Sequence, residues 1–450
     1  MTEVETELSR FVAETNWDAL PEAIRNRVND IWADTVANAL AGRRAANTPA
    51  VESLAARLTG PGDSVVIGGA SSSMTGAALI NGFQITAFTM CDVYRPALCH
   101  ITPEVVPVLL ALADDGRDLL VGLAVGLELT ARLGLGLDYP TFRGRGWHAP
   151  GVIGTIGAAA AGARVLGLDH RQIRAAMGLG ASQASGTFAA LGTAAVKFHQ
   201  ARGAVSGLWA ALFAADGLGG SQRGLTHPDG GVLTTYTDGG RPDLILDGLG
   251  ERWELEQISL RRWPAASSLQ SLVAGLLDFT DVGTESVRSA QLELPPSSYA
   301  MCAEMGWEDE LSAMQSARYV TAAVLADRRC WTEQFSAERR VDPAINQFAS
   351  DVSVRQGTDL PPSGVRIRLT RTDGTVVETT RDTAPGEPSD PLTRPQIIDK
   401  LQAAAVTTPV SGGDLVRVVY ATDGCDGASV RAALCAPTAE RSEREYAQQH

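Results

Sequence analysis

One run of almost exclusively small residues restricts the folds open to this chain more than any other feature. Residues 151–162 read GVIGTIGAAAAG. A helix with so little side chain lets neighbouring backbones approach closely, so we expect it at the centre of a helical domain. A phosphate-binding loop is the alternative for such glycines, but no strand precedes them and no Lys-Ser/Thr pair follows. The run therefore predicts a central packing helix.

Most of the N-terminal half has the hydrophobic spacing of amphipathic helices. In the first such stretch Pro21 lies where a helix can start and Gly42 lies where it can end. Residues 119–137 form the most apolar stretch, but it is rich in glycine and interrupted by Glu128 and Arg132. This pattern predicts a buried helix rather than a membrane span.

The pattern changes in the third quarter of the chain. Residues 287–294 alternate between apolar and polar side chains, and residues 365–380 contain two such runs around an Asp-Gly turn, which predicts a β-hairpin. We therefore predict a mainly α protein in which residues 1–258 and 393–450 form one large all-α helical domain. Residues 259–392 form a smaller α+β domain inserted before the C-terminal helices.

Overall composition excludes some classes of protein. The net charge of −14 argues against bulk binding of nucleic acid or of an anionic membrane. The acidic, polar N-terminus predicts no signal peptide, and six irregularly spaced cysteines predict reduced, buried thiols in a cytoplasmic protein. Among the 38 basic residues only Lys197 and Lys400 are lysines, a bias typical of a bacterial genome of high GC content.

Local charge contrasts with the net charge. Between Asp138 and Asp216 the only acidic residue is Asp169. The same interval contains seven bases: Arg143, Arg145, Arg164, Arg171, Arg174, Lys197 and Arg202. We expect several of these bases to lie on solvated helix faces. The cluster would also suit a pocket that binds carboxylates.

Lys197 is the most informative of these bases. Because the chain uses arginine almost everywhere, a lysine in an apolar, acid-free segment indicates a need for an ammonium group. Burial readily lowers the pKa of an ammonium group, so it can act as an acid, a base or a point charge. Chance retention of this lysine is the alternative.

Three of the six histidines, His100, His148 and His199, lie in loops or near the predicted starts of helices. Each alone is most simply explained as a hydrogen-bonded structural residue, but together they indicate a site. A zinc site at Cys91, Cys99 and His100 lacks the usual ligand spacing. No GxSxG or GxGxxG motif supports a serine hydrolase or a dinucleotide site.

Several blocks of the sequence, in order, resemble the MmgE/PrpD family over nearly the whole chain. Gly146-Trp147-His148 precedes the small-residue run, and the segment ASQASG at 181–186 and Lys197-Phe198-His199 follow it. An earlier family block aligns with residues 86–92 and with His100. There Asp92 and His100 match the family, whereas Thr86, Thr89 and Cys91 replace a histidine and two aspartates. In the smaller domain Arg261 aligns with a family lysine.

The resemblance implies a large all-α domain built from both chain ends, a smaller α+β lid, and a homodimer that needs no metal or organic cofactor. It also implies proton removal next to a carboxylate of a small-molecule substrate. Our candidate catalytic residues are His148, Lys197, His100 and Asp92. Our candidate substrate-binding residues are Arg143, Arg145, His199, Arg261, Thr89 and Gln183.

We therefore expect a cofactor-independent lyase, either a dehydratase or a decarboxylase, that acts on a small di- or tricarboxylate. An isomerase or epimerase on the same scaffold is the first alternative, because it needs proton exchange but no acid for a leaving group. A non-catalytic or repurposed member of the family is the second alternative.

Overall fold

The computed structural model describes residues 4–280, 282–406 and 412–435, and its architecture is mainly α, as predicted. The helices of the first half are α1 (Val4–Glu14), α2 (Glu22–Gly42), α3 (Thr48–Leu58), α4 (Met74–Ala87), α5 (Thr102–Leu112), α6 (Gly116–Gly136), α7 (Tyr139–Gly144), α8 (Thr155–Val165), α9 (His170–Ser182), α10 (Ala195–Ala215), α11 (Val232–Tyr236) and α12 (Pro242–Leu246). Those of the second half are α13 (Gln270–Asp278), α14 (Pro296–Cys302), α15 (Glu310–Gln315), α16 (Ala317–Asp327), α17 (Ala337–Arg340), α18 (Pro343–Asp351), α19 (Arg394–Ala405), α20 (Gly412–Tyr420) and α21 (Gly427–Leu434).

The strands are short and few in the described part of the chain. They are β1 (Val93–Tyr94), β2 (Ile258–Ser259), β3 (Val287–Leu294), β4 (Ser353–Gln356), β5 (Val365–Arg371) and β6 (Val376–Arg381). We call β3–β6 with α13–α18 the sheet part, and α1–α12 with α19–α21 the helical part.

The small-residue helix lies at the centre of the helical part, as predicted. Helix α8 packs against α5, α6, α9 and α10, and its residues from Thr155 to Ala163 are all buried. The closeness of these contacts explains the glycines: a Cβ at Gly207 of α10 would lie only 2.6 Å from the Cβ of Ala158. The five residues before α8, Pro150–Gly154, form a single π-helical turn.

Among the described helices, only α6 is long and apolar enough to cross a membrane, but it is almost entirely buried within the protein. The charged residues that interrupt its apolar sequence are satisfied internally. Arg132 Nε lies 2.6 Å from Glu128 Oε1, and the Arg132 guanidinium also donates to four backbone carbonyls, those of Ile245, Asp247, Gly248 and Arg252. The prediction of a buried helix here is confirmed.

The sheet part contains one four-stranded sheet in the order β4-β3-β5-β6, in which β3 and β4 are parallel and the other pairs antiparallel. The predicted hairpin is β5–β6, and Gly374 in its turn has a φ of 89°, which glycine adopts without strain. Alternate residues of β5, including Ile367, are buried, and helix α13 packs over β5 and β6.

After the sheet part, α19 packs against α2, so both ends of the described chain contribute to the helical part. The six cysteines are free; four are buried and two, Cys425 and Cys435, are partly buried. The domain bounds, the cytoplasmic location and the homodimer stay predictions.

Candidate active site

A cavity of about 330 Å³ lies where the helical part meets the sheet part. From the helical part its wall includes Thr89, Arg95, His100, His148 and Lys197. From the sheet part and the connection that leads to it, the wall includes Arg261, Ser267, Ser298, Met301 and Cys302. Five of the ten predicted site residues therefore line one cavity: Thr89, His100, His148, Lys197 and Arg261.

A two-residue antiparallel pairing brings the two sides of the cavity together. Strand β1 pairs with β2 through Val93 with Ser259 and Tyr94 with Ile258. Arg261 follows β2, and its Nε donates to the backbone carbonyl of Cys91 at 2.6 Å. Arg261 Nη2 lies 3.1 Å from Cys91 Sγ and 3.4 Å from His100 Nδ1. The guanidinium thus lies between the two segments. We call this contact between Arg261 and Cys91 the cavity floor.

Asp92 is buried behind this floor and does not line the cavity. Its carboxylate accepts from the backbone N–H groups of Ile101 and Thr102 at 2.8 and 3.1 Å, and from the Thr102 hydroxyl at 2.6 Å. It therefore satisfies the free N–H groups at the start of α5. Burial raises the pKa of Asp92 to about 6.

His100 is oriented by the backbone of Asp92 rather than by its carboxylate. His100 Nδ1 lies 2.6 Å from the Asp92 carbonyl oxygen. Because a carbonyl oxygen only accepts, Nδ1 carries the proton and the lone pair of the neutral ring is on Nε2. Burial, with the neighbouring charge of Arg261, lowers the pKa of His100 to about 3, so the ring is uncharged at neutral pH.

His148 and His199 form a pair. Their Nδ1 atoms are 3.3 Å apart, and the His148 backbone N–H donates to the carbonyl of Gly186 at 3.0 Å. Gly186 has a φ of 138°, and a Cβ there would lie 3.1 Å from His199 Nδ1, so only glycine fits beside this ring. Burial lowers the pKa of both histidines, that of His148 well below its ordinary value.

Lys197 lies in the first turn of α10 and is buried. Its Nζ lies 3.4 Å from Thr86 Oγ1, which also lies 3.6 Å from Cys91 Sγ. Burial lowers the pKa of Lys197 to about 7; Cys91 partly opposes this shift, whereas Arg261 adds to it. The ammonium can therefore release or accept a proton near neutral pH.

Four predicted substrate-binding residues lie outside the cavity wall. Arg143 stacks over the ring of Phe188, with its Cζ 3.4 Å from the ring centroid. Arg145 pairs with Asp238 and donates to the carbonyl of Thr237 at 2.8 Å. Gln183 Nε2 donates to backbone carbonyls of α9 and α10. His199 reaches the site only through His148.

Lys400 is an important residue that the sequence argument missed. From α19, its Nζ donates to Asp34 Oδ1 at 2.6 Å, to the Arg261 carbonyl at 2.7 Å and to the Met90 carbonyl at 3.2 Å. It thus joins the segments before β1 and after β2 without being part of the cavity wall. The scarcity of lysine that singled out Lys197 applies equally to Lys400 and would have found it.

Comparison with protein families agrees with this architecture. Residues 6–245 match the MmgE/PrpD N-terminal domain, and residues 263–412 match the MmgE/PrpD C-terminal domain. The chain belongs to the MmgE/PrpD family. The resemblance inferred from the sequence blocks is therefore confirmed.

Relatives of this MmgE/PrpD chain have names that describe one activity. It is 28% identical to cis-aconitate decarboxylase from Homo sapiens, over 74% of this chain and 72% of that protein. It is 24% identical to cis-aconitate decarboxylase from Aspergillus terreus, over 89% of each chain. A cis-aconitate decarboxylase-like protein from Aspergillus oryzae is 26% identical over 83% of this chain and 85% of that protein. The prediction that this chain is an enzyme with lyase activity is confirmed.

Proposed function

We propose that this MmgE/PrpD protein is a cofactor-independent lyase that dehydrates or decarboxylates a small carboxylate. In a dehydration, a base removes the proton next to the carboxylate, the C–O bond breaks, and an acid protonates the departing hydroxyl group to give water. In a decarboxylation, the bond to CO₂ breaks and the acid protonates the carbon that keeps the electron pair. Both reactions need a proton donor beside a cationic site. The names of the relatives support this class of reaction.

The observation that carries the proposal is a buried ammonium in the same cavity as two uncharged imidazoles. Lys197, with a pKa near 7, is the acid. His148 is the base: when its Nδ1 donates to His199, the lone pair of the ring is on Nε2. Its lowered pKa keeps this lone pair free of a proton at neutral pH.

Arg261 and Lys197 supply the positive charge for the substrate carboxylate. Neither side chain is ion-paired with a carboxylate in the part of the chain that the structure describes, and both line the cavity. The two groups border the same pair of side chains: Thr86 Oγ1 lies 3.4 Å from Lys197 Nζ and 3.6 Å from Cys91 Sγ, and Cys91 Sγ lies 3.1 Å from Arg261 Nη2. Asp92 keeps a positioning role, because it fixes His100 and the start of α5.

Turnover of a carboxylate panel by three variants tests this assignment. The panel contains cis-aconitate, citrate, 2-methylcitrate, iminodisuccinate and unsaturated or 3-hydroxylated monocarboxylates, and release of CO₂, loss of water and inversion are scored separately. We expect His148→Gln and Lys197→Met to abolish turnover, whereas the control His227→Gln, at an exposed histidine, keeps it. Unchanged turnover in the first two variants would contradict the assignment.

An isomerase or epimerase is the second candidate. His100 and His148 reach the cavity from separate segments, and two-base proton exchange needs two such groups, one that removes a proton and one that, in its protonated form, delivers another. Exchange of substrate hydrogen with deuterium oxide, without loss of CO₂ or water, would favour this candidate over a lyase.

A further inference from the structure

The cations of the cavity limit how many carboxylates it can hold. Besides histidine, three basic side chains are in its wall: Arg95, Lys197 and Arg261. Arg95 is already neutralised by Glu387, whose Oε1 lies 2.5 Å from Arg95 Nη2. Lys197 and Arg261, both in this wall, therefore remain to balance substrate charge, and they are connected through the side chains of Thr86 and Cys91.

Arg261 has only part of its guanidinium left for a ligand. Its Nε and Nη2 are used by the carbonyl and the sulfur of Cys91. One carboxylate lying between Arg261 and Lys197 would use the remaining donors of both and relieve the repulsion between them. Once one carboxylate bridges Lys197 and Arg261, no further unpaired Lys or Arg remains among the described residues of the wall for a second carboxylate.

The rest of the wall is uncharged. Apolar side chains from both parts of the protein face the cavity, namely Leu98, Phe188, Leu191, Val196, Met301 and Pro362. The polar groups among them are mainly hydroxyls, such as those of Ser267 and Ser298. An unpaired carboxylate buried against such a wall loses hydration without compensation, whereas an alkyl group gains from burial.

We propose that the substrate has a single carboxylate, bound between Lys197 and Arg261, and an uncharged, partly apolar remainder that packs against Phe188, Leu191 and Met301. This inference deepens the proposed function, on which it rests for the location of the site. It separates this protein from enzymes whose substrates carry three carboxylates.

Equilibrium binding of unreactive acids tests the charge preference without requiring turnover. The probes are hexanoate, glutarate and propane-1,2,3-tricarboxylate, with affinity measured by isothermal titration calorimetry on the full chain. We expect hexanoate to bind at least about tenfold more tightly than the tricarboxylate, because each extra buried charge lacks a partner. Tighter binding of the tricarboxylate, or no binding of hexanoate, would overturn the inference.

A variant with an added cation provides a second test. Met301→Arg places a guanidinium in the apolar wall, and we expect it to weaken hexanoate binding and strengthen glutarate binding. The matched control Val341→Arg adds the same charge at a residue that is 70% exposed and should leave both affinities unchanged. Unfolding temperatures identify any loss of folding in Met301→Arg. An unchanged hexanoate-to-glutarate ratio in a folded Met301→Arg protein would contradict the proposed position of the remainder.

The binding results and the turnover results can fail independently of each other. If hexanoate binds but no acid in the panel is turned over, the substrate inference stands and the lyase assignment fails. If the tricarboxylate binds best and is decarboxylated, the lyase assignment stands and the substrate inference fails.

Discussion

Lys197 and Lys400 are the only lysines of the chain, and both are buried. Lys197 lines the cavity, and among the described residues its Nζ donates only to Thr86 Oγ1. Lys400, in contrast, uses its ammonium fully within the protein, because it donates to Asp34 and to two backbone carbonyls. We therefore expect Lys197 to exchange its proton during the reaction and Lys400 to remain a structural charge.

Replacing Lys197 by arginine keeps the charge but removes the acid. A guanidinium stays protonated at every accessible pH. We expect Lys197→Arg to lower kcat by about 10²–10⁴-fold, the usual contribution of a positioned proton donor. Steady-state kinetics with the best substrate of the panel checks this, and unfolding temperature shows whether the fold is kept. A kcat close to that of the unaltered enzyme would show that Lys197 acts only through its charge.

The pKa of Lys197 sets an expected pH profile. Since the acid must be protonated, kcat/KM should fall as pH rises through about 7. A bound carboxylate favours the ammonium form, so the corresponding fall in kcat should occur at higher pH than the fall in kcat/KM. Initial rates between pH 5 and pH 10 test both statements. A kcat/KM that stays constant up to pH 9 would exclude Lys197 as the acid.

At the scale of elements, α5 directly follows the segment that holds His100 and contributes an unusual buried carboxyl, that of Glu104. Neither oxygen of Glu104 has a hydrogen-bond partner among the described residues, and the side chain is fully buried. It packs where α5 meets the π-helical turn and α10, since Cβ atoms at Gly154 and Gly203 would each lie 3.0 Å from its Cγ. Burial, with Asp92 nearby, raises the pKa of Glu104 well above its ordinary value.

Glu104 should make the protein less stable at high pH. The folded state holds a proton that the unfolded state releases near the ordinary glutamate pKa of 4.5, so stability falls as pH rises from there through the folded-state pKa. We expect Glu104→Gln to reduce this fall, as measured by urea unfolding at pH 5, 7 and 9. The control Glu378→Gln, at an exposed position of β6, should leave it unchanged. An identical fall in Glu104→Gln would indicate that Glu104 is ionised in the folded protein.

Helix α19 stabilises the β1–β2 junction through Lys400. Replacing Lys400 by methionine leaves the Asp34 carboxylate buried and unpaired, and we expect a loss of about 3–5 kcal/mol in the free energy of unfolding. The double variant Lys400→Met/Asp34→Asn removes both charges and should recover part of that loss. Urea unfolding of the two variants checks this. Equal stabilities would show that Asp34 is satisfied without Lys400.

At the scale of the whole molecule, periodicity and residue size predicted the fold well. The run at 151–162, the strand at 287–294 and the hairpin at 365–380 depend on local pattern, and the structure confirms all three. The return of the chain to the helical part was also predicted. The π-helical turn and the two-residue pairing of β1 with β2 were not, because each depends on tertiary packing rather than on sequence period.

The candidate site was predictable where scarcity or family resemblance marked a residue. His100, His148, Lys197 and Arg261 line one cavity, as their interpretation as site residues requires. Arg143 and Arg145 were chosen for their charge, but nearby sequence does not show that Phe188 and Asp238 engage them. The apolar part of the cavity wall could not be predicted from the sequence. Leu191 and Met301 have no sequence pattern that distinguishes them from ordinary core residues, and only folding places them at the cavity.

The position of Lys400 has a consequence for the order in which the protein is made. The segments that hold Thr89, His100 and Arg261 leave the ribosome well before α19 does, so during synthesis they exist for a time without the ammonium that joins them. A nascent chain that already contains every cavity-lining residue therefore still lacks the contact that fixes the cavity floor. The pocket becomes complete only after α19 has been synthesised and has docked on α2.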